Sequence, residues 1–306
     1  MYDPRWGDDA RDRDSGSRDL SRGGRGGSDP REQERERVEP REVFARHVNL
    51  PSGREREHVW VRDHYHMLRG SESRTLASVG AFRVIRSDDL RDTHEKTLDP
   101  RHGELWHLRE AGLVQTVRLD RDTTVVTLTK EGRELLEGHR RDQNGPDRQA
   151  FHDGIQRPRE LKHDAAVYRA YLEEAERLHE AGAEIHRVIL ENDLKAEFQT
   201  FLQEPNRDRE DSDGRPERSP LEIESWAHEH NLPCDAQGHV QFPDARIEYE
   251  LDGHEHSLDV EVMTPHYRGA HAAGKSSSGF SLYFSGRGGG GGRGGGRSRG
   301  HAEEFL

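Results

Sequence analysis

The sequence predicts an α+β chain of two small folded regions set between charged tails, and three observations predict it. Helical and strand-like apolar spacings alternate from Ser71 to Phe284, the breakers Asn144-Gly145-Pro146 and Pro158 divide them, and both ends lack apolar anchors. Of the 306 residues only 30% are hydrophobic and 35% are charged, so a good part of the chain cannot be packed core. A net charge of -13 excludes a protein that coats nucleic acid through its overall field, although a locally basic face remains open. Cys234 is the single cysteine, which excludes an internal disulfide and a multi-cysteine zinc site. No apolar run is long enough to cross a bilayer and MYDPRWGDDARDRD has no secretory apolar region. The expectation is a soluble, cytoplasmic protein with no membrane partner.

Residues 1–40 mix Arg, Asp, Glu, Gly and Ser and are expected to be disordered, since too little apolar surface is present to offset the entropy of ordering. Residues 41–70 form a lead-in in which Val59-Trp60-Val61, Tyr65, Met67 and Leu68 suit an irregular strand or helix. In residues 71–141 the pattern is clearer. Ser71 or Ser73 would cap a helix carrying Leu76, Val79 and Phe82, and Ser87 with Asp88-Asp89 would start a second, acids sitting at the positive end of the helix dipole. A third helix carries Leu105, Trp106 and Leu108 and stops at Ala111-Gly112. Two β-rich runs, 113–119 and 124–128, are joined by Asp120-Arg121-Asp122-Thr123, and Thr129 caps a closing helix with Leu135 and Leu136.

Three helices, a β-wing and a closing helix resemble a winged helix-turn-helix, and LWHLREAGLV followed by VVTLTKEGRELLE is similar to the run from recognition helix to final helix in MarR-like regulators. That resemblance implies a third helix in the major groove of double-stranded DNA, with Arg101, His102, His107 and Arg109 as polar contacts and Arg121 on the wing reaching phosphate. The segment holds thirteen Lys or Arg and thirteen Asp or Glu, so it is formally neutral. The alternative is a winged helix used for protein interaction or for homodimer pairing.

Residues 142–160 suit a linker and 161–285 a second region. Ala166, Val167, Ala170, Tyr171, Ala175 and Leu178 recur at helical spacing, residues 185–190 suit a short apolar strand, 193–203 and 221–230 suit helices, and 280–284 a last strand. Between them, 246–251 and 258–262 alternate around the turn dipeptide Asp252-Gly253, which predicts a hairpin. Asp259 and Glu261 then share one face and Leu258, Val260 and Val262 the other, and two such carboxylates imply either solvent on that face or a cation between them.

Pro243-Asp244 followed by Asp259-Val260-Glu261 resembles the PD-(D/E)xK nuclease family, with Glu261 where that family has lysine. The resemblance implies a restriction-endonuclease-like α/β domain in which Asp244, Asp259 and Glu261 would hold Mg2+ and Lys275 or Arg268 would supply the missing positive charge. His254 and His256 in the hydrophilic turn form no closed ligand set for a transition metal. Tyr267 and His271 would share a helix face beside His266, and His163 could reach the same cleft from the first helix of this region. Residues 286–306 open with GRGGGGGRGGGRSRG, four Arg and no acid, a flexible tract of the kind that clings to single strands without reading sequence.

The two regions together, through LREAGLVQTV, LTKEGRELL, LKHDAAVYRAYLEEAERL and FPDARIEY with LDVEVMTPHYRGAHAA, resemble the replication-relaxation family of plasmids and other mobile elements. The resemblance implies a DNA-binding accessory or regulatory protein of replication or mobilisation, acting with replication or relaxase machinery. With lysine absent from position 261, binding without cleavage ranks above the alternative, a Mg2+-dependent endonuclease or nickase.

Overall fold

The computed structural model describes residues 38–92, 94–142, 145, 148–207, 218–263 and 279–284. They form a mixed α+β structure with three small sheets and lie within one compact unit, Arg37–Leu306. Among the described residues no helix is long and apolar enough to cross a membrane.

After a 3-10 turn at Val43–His47, the lead-in is a regular hairpin, β1 (Glu57–Val61) paired with β2 (His64–Leu68). Val59, Val61 and Leu68 are buried, while the other face shows Trp60 and Tyr65 to solvent. Helix α1 (Gly70–Phe82) begins one residue before Ser71, and neither expected serine caps it. Glu72 does this instead, reaching back to the backbone N–H of Arg69 (3.1 Å) while the Arg56 guanidinium donates to both its oxygens at 3.2 and 2.6 Å.

The helix expected from Ser87 is only a 3-10 turn, Ser87–Asp89, following a two-residue strand β3 (Ile85–Arg86). Its acids are drawn into ion pairs: Asp88 receives Arg86 and Asp89 receives Arg169. Helix α2 (Gly103–Glu110) ends at Gly112, whose φ of +73° suits the residue without a side chain. Strands β4 (Val114–Arg118) and β5 (Thr124–Leu128) follow, and the sheet order is β3-β5-β4. Thr129 caps α3 (Lys130–Gly138) as its residue type suggests, accepting from Gly132 N–H at 3.1 Å.

The second half begins with α4 (Leu161–Glu180), then β6 (Glu184–Leu190), α5 (Glu191–Gln203) and α6 (Pro220–Glu229). Helix α6 starts on a capping box, Ser219 and Glu222 satisfying each other's backbone N–H. Strands β7 (Ala245–Leu251), β8 (His254–Met263) and β9 (Ser281–Phe284) complete a sheet ordered β6-β7-β8-β9, antiparallel except for the β8–β9 pair. Asp252 and Gly253 both have positive φ, the two-residue turn that Asp-Gly favours.

The two folded regions expected from the sequence share one large hydrophobic cluster, beside smaller ones at Val84 and Val125 and around Trp226. Phe82 of α1 packs on Tyr168 and Tyr171 of α4 with ring centroids 4.9 Å apart in each case, and Phe44 touches both Phe82 and Tyr171. The same cluster continues to Val188, Ile247, Val260 and Val262 of the four-stranded sheet. The stretch expected as a linker also takes part. Gln149 is buried, its side-chain amide exchanging two 2.9 Å hydrogen bonds with the Val188 backbone, and Phe151 is buried beside it.

Candidate functional site

The sequence pattern gathers three acids on the hairpin β7–β8, and the structure gives each its own surroundings. Arg246 lies directly across from Asp259 in the antiparallel register, so both point to the face away from Val260 and Val262. Its guanidinium donates Nε–H to Asp259 Oδ1 at 2.7 Å and Nη2–H to Oδ2 at 2.8 Å. The remaining donors reach the carbonyls of His230 (2.5 Å) and Asn231 (3.0 Å) just past α6. Arg246 is 5% exposed, so a buried cation occupies the place beside Asp259. That face is covered rather than solvated, because the chain after α6 closes over it. Sequence pattern points to Asp259 and overlooks Arg246, although Arg at a strand position opposite an acid is the signal that could reveal the pair.

Asp244, at the head of β7, turns its Oδ2 to the Val262 backbone N–H (2.7 Å) and to His163 Nε2 (3.1 Å). It therefore ties β7 to β8 and to the first turn of α4. Burial lowers the His163 pKa, but hydrogen bonds to Asp164 and Asp244 outweigh that and raise it to about 10. The cleft that His163 is expected to share with Tyr267 and His271 lies outside the described residues. Glu261 is 2% exposed, and its neighbours on β8 are buried as well. Arg268 and Lys275, together with His266, Tyr267 and His271, lie outside the described residues.

Two sets of three or more His, Asp, Glu or Cys side chains, among the described residues, bring their ligand atoms within 4.8 Å of one another, and the Asp244, Asp259, Glu261 trio is neither. With both oxygens of Asp259 engaged by Arg246, these three acids as arranged do not fit a shared Mg2+, which requires oxygen ligands free to meet it at about 2.1 Å. As described, Asp244 and Asp259 are each bound to separate neighbours and Glu261 is buried.

The residues expected at DNA divide in the same way. His107 is half-buried, its Nδ1 3.0 Å from the fully buried carboxylate of Glu72. Arg109 is partly consumed, donating to the Pro100 carbonyl at 3.1 Å and to Glu110 at 3.0 Å. Arg101 and His102 are exposed at the start of α2, His102 within 3.3 Å of Asp99, and Arg121 is exposed in the turn between β4 and β5. Trp106, 42% exposed on α2, joins this surface, where its apolar spacing gives no hint of it.

The acid turn after β7 holds a further surprise. Glu255 approaches His186 of β6 (3.7 Å) and stands across from Glu250, while His254 and His256 stay exposed. Comparison with protein-family models, with curated proteins and with solved structures finds no match.

Proposed function

We propose that this chain is a DNA-binding accessory or regulatory protein of plasmid or mobile-element replication or mobilisation, in which a winged helix-turn-helix grips double-stranded DNA and a nuclease-like second half does not cut it. The observation that carries the second part is the Arg246–Asp259 pair. Metal-assisted hydrolysis of a phosphodiester needs carboxylates held open toward an ion, and here the central one is saturated by a buried guanidinium. Support for the nuclease-like ancestry is the element order of a helix, three antiparallel strands and a fourth strand parallel to the third, with Asp244 heading the second of them.

The DNA-gripping part is supported by the order α1, β3, a short turn, α2, β4, β5, α3 with sheet order β3-β5-β4, which suits a helix and a wing presented side by side. Arg101, His102 and Trp106 on or beside α2 and Arg121 on the wing are the exposed contacts. The plasmid and mobile-element setting rests on the resemblance of LREAGLVQTV, LTKEGRELL and FPDARIEY alone.

Incubating the full chain with plasmid DNA in the presence of Mg2+, followed by electrophoresis, tests the proposal. Retarded but uncut DNA is the expected result. Mg2+-dependent nicking or cutting that disappears in Glu261→Gln would overturn it in favour of an endonuclease or nickase.

A further inference from the structure

His64, Tyr65 and His66 occupy consecutive positions of β2, so the two histidines point to one face and Tyr65 to the other, where it packs against Trp60 and His58. The histidine face of β2 turns toward the first turn of α3, which Thr129 caps and Glu131 follows. There the Nε2 atoms of His64 and His66 both meet the same carboxylate oxygen, Oε1 of Glu131, the His66 contact measuring 2.8 Å. The imidazole rings stand edge to face with centroids 5.4 Å apart.

We propose that His64, His66 and Glu131 form a zinc-binding site that clamps the β1–β2 hairpin onto α3. The donor set is two imidazole nitrogens and one carboxylate oxygen with all ligand atoms within 4.8 Å, the combination that suits Zn2+ with a fourth position open to water. Bonds of about 2.0–2.1 Å in a tetrahedron place donors about 3.3 Å apart, so His66 and Glu131 must open by about half an ångström from their 2.8 Å contact and His64, which lies closer to the same oxygen, by more. His64 supplies that freedom, being 57% exposed, whereas His66 at 9% is held by packing. The exposed side gives the ion its way in and water its place. Each ring need only carry its proton on Nδ1 instead of Nε2 to offer a lone pair.

The ion would reinforce a seam that the structure already stitches. From the same hairpin Arg62 pairs with Glu134 of α3 at 2.6 Å, and His139 Nε2 at the end of α3 lies 2.8 Å from the Trp60 carbonyl. Zinc adds a third tie at the N-terminal turn of α3, the helix that closes the three-stranded β3-β5-β4 sheet. The inference is independent of whether the chain binds DNA.

The test is a zinc titration of the full chain against a chromophoric chelator, with the visible spectrum of the cobalt(II) form and the thermal midpoint measured alongside. The wild type is expected to take up one ion at this site, to show cobalt bands of tetrahedral intensity and to unfold at higher temperature as zinc rises. His64→Gln and Glu131→Gln should each weaken binding by at least about 100-fold, more than removal of an outer hydrogen-bond partner costs, and abolish the bands and the zinc-dependent shift. His64 is exposed enough for its variant to keep the fold, which circular dichroism checks. A Glu250→Gln/Glu255→Gln variant, altering the His186 cluster, should bind at this site as the wild type does. Absence of zinc uptake by the wild type, or uptake unchanged in His64→Gln and Glu131→Gln, would overturn the proposal.

Discussion

Arg246 shows how one side chain can redirect the chemistry of its neighbours. Its hydrogen bonds end on both oxygens of Asp259 and on two carbonyls after α6, so the cation is neutralised and the carboxylate is taken out of play. Removing one partner of such a buried pair leaves an uncompensated charge, and Arg246→Ala should cost about 3–5 kcal/mol, read by chemical denaturation. Replacement by Lys should recover only a part, because an ammonium cannot satisfy both carboxylate oxygens and two carbonyls in one plane.

His163 gives a second residue-scale prediction. Its folded pKa of about 10 stands above the ordinary imidazole value of 6.5, so the folded chain keeps a proton that the unfolded chain gives up first. The stabilisation is complete below about pH 6.5 and fades as pH rises toward 10, by an amount on the order of a few kcal/mol. Stability measured across that window should fall in the wild type and much less in His163→Gln. A wild-type profile no steeper than that of the variant would show that the Asp164 and Asp244 contacts do not hold the proton.

At the level of elements, most strands and helices are legible in the sequence. Asp252-Gly253 announces the β7–β8 turn, alternation announces β7 and β8, and Thr129 announces α3 because each of these signals is local. What escapes depends on residues far apart in the chain. Asp88 and Asp89 look like a helix start until Arg86 and, eighty residues on, Arg169 claim them. Ser71 and Ser73 look like caps until Glu72, fully buried, is found between Arg56 and His107. The candidate metal ligands are half visible: His64-Tyr65-His66 has strand period, but Glu131 is brought to it only by the docking of α3.

That docking sets a further prediction. A methyl group on Gly132 would sit 2.1 Å from the Leu113 carbonyl oxygen, a backbone atom that cannot swing aside. Gly132→Ala should therefore force α3 away from the sheet and cost about 1–3 kcal/mol in denaturation. Thr129→Ala, which removes the cap and the hydroxyl's 2.6 Å hydrogen bond to the Gly112 carbonyl, should cost about 1–2 kcal/mol.

Across the whole molecule the aromatic junction of Phe44, Phe82, Tyr168 and Tyr171 makes one core out of two regions that composition alone separates. Tyr171 is fully buried and still satisfied, its hydroxyl donating to the Pro40 carbonyl at 2.8 Å. Because the junction is shared, Phe82→Ala should lower the stability of both regions together by about 3–5 kcal/mol, with a single calorimetric transition. Two resolved transitions, of which only one moves, would contradict a common core.

The proposed DNA binding rests at this same scale on the exposed Arg101 and Arg121 meeting phosphates. Its most direct test is the slope of log affinity against log salt for double-stranded DNA, compared between the wild type and Arg101→Ala/Arg121→Ala. Binding should weaken with salt, and the slope should be shallower by about one to two in the variant, about one for each phosphate that no longer meets an arginine. No retention of DNA at low salt, or identical affinity and slope in the two proteins, would contradict it.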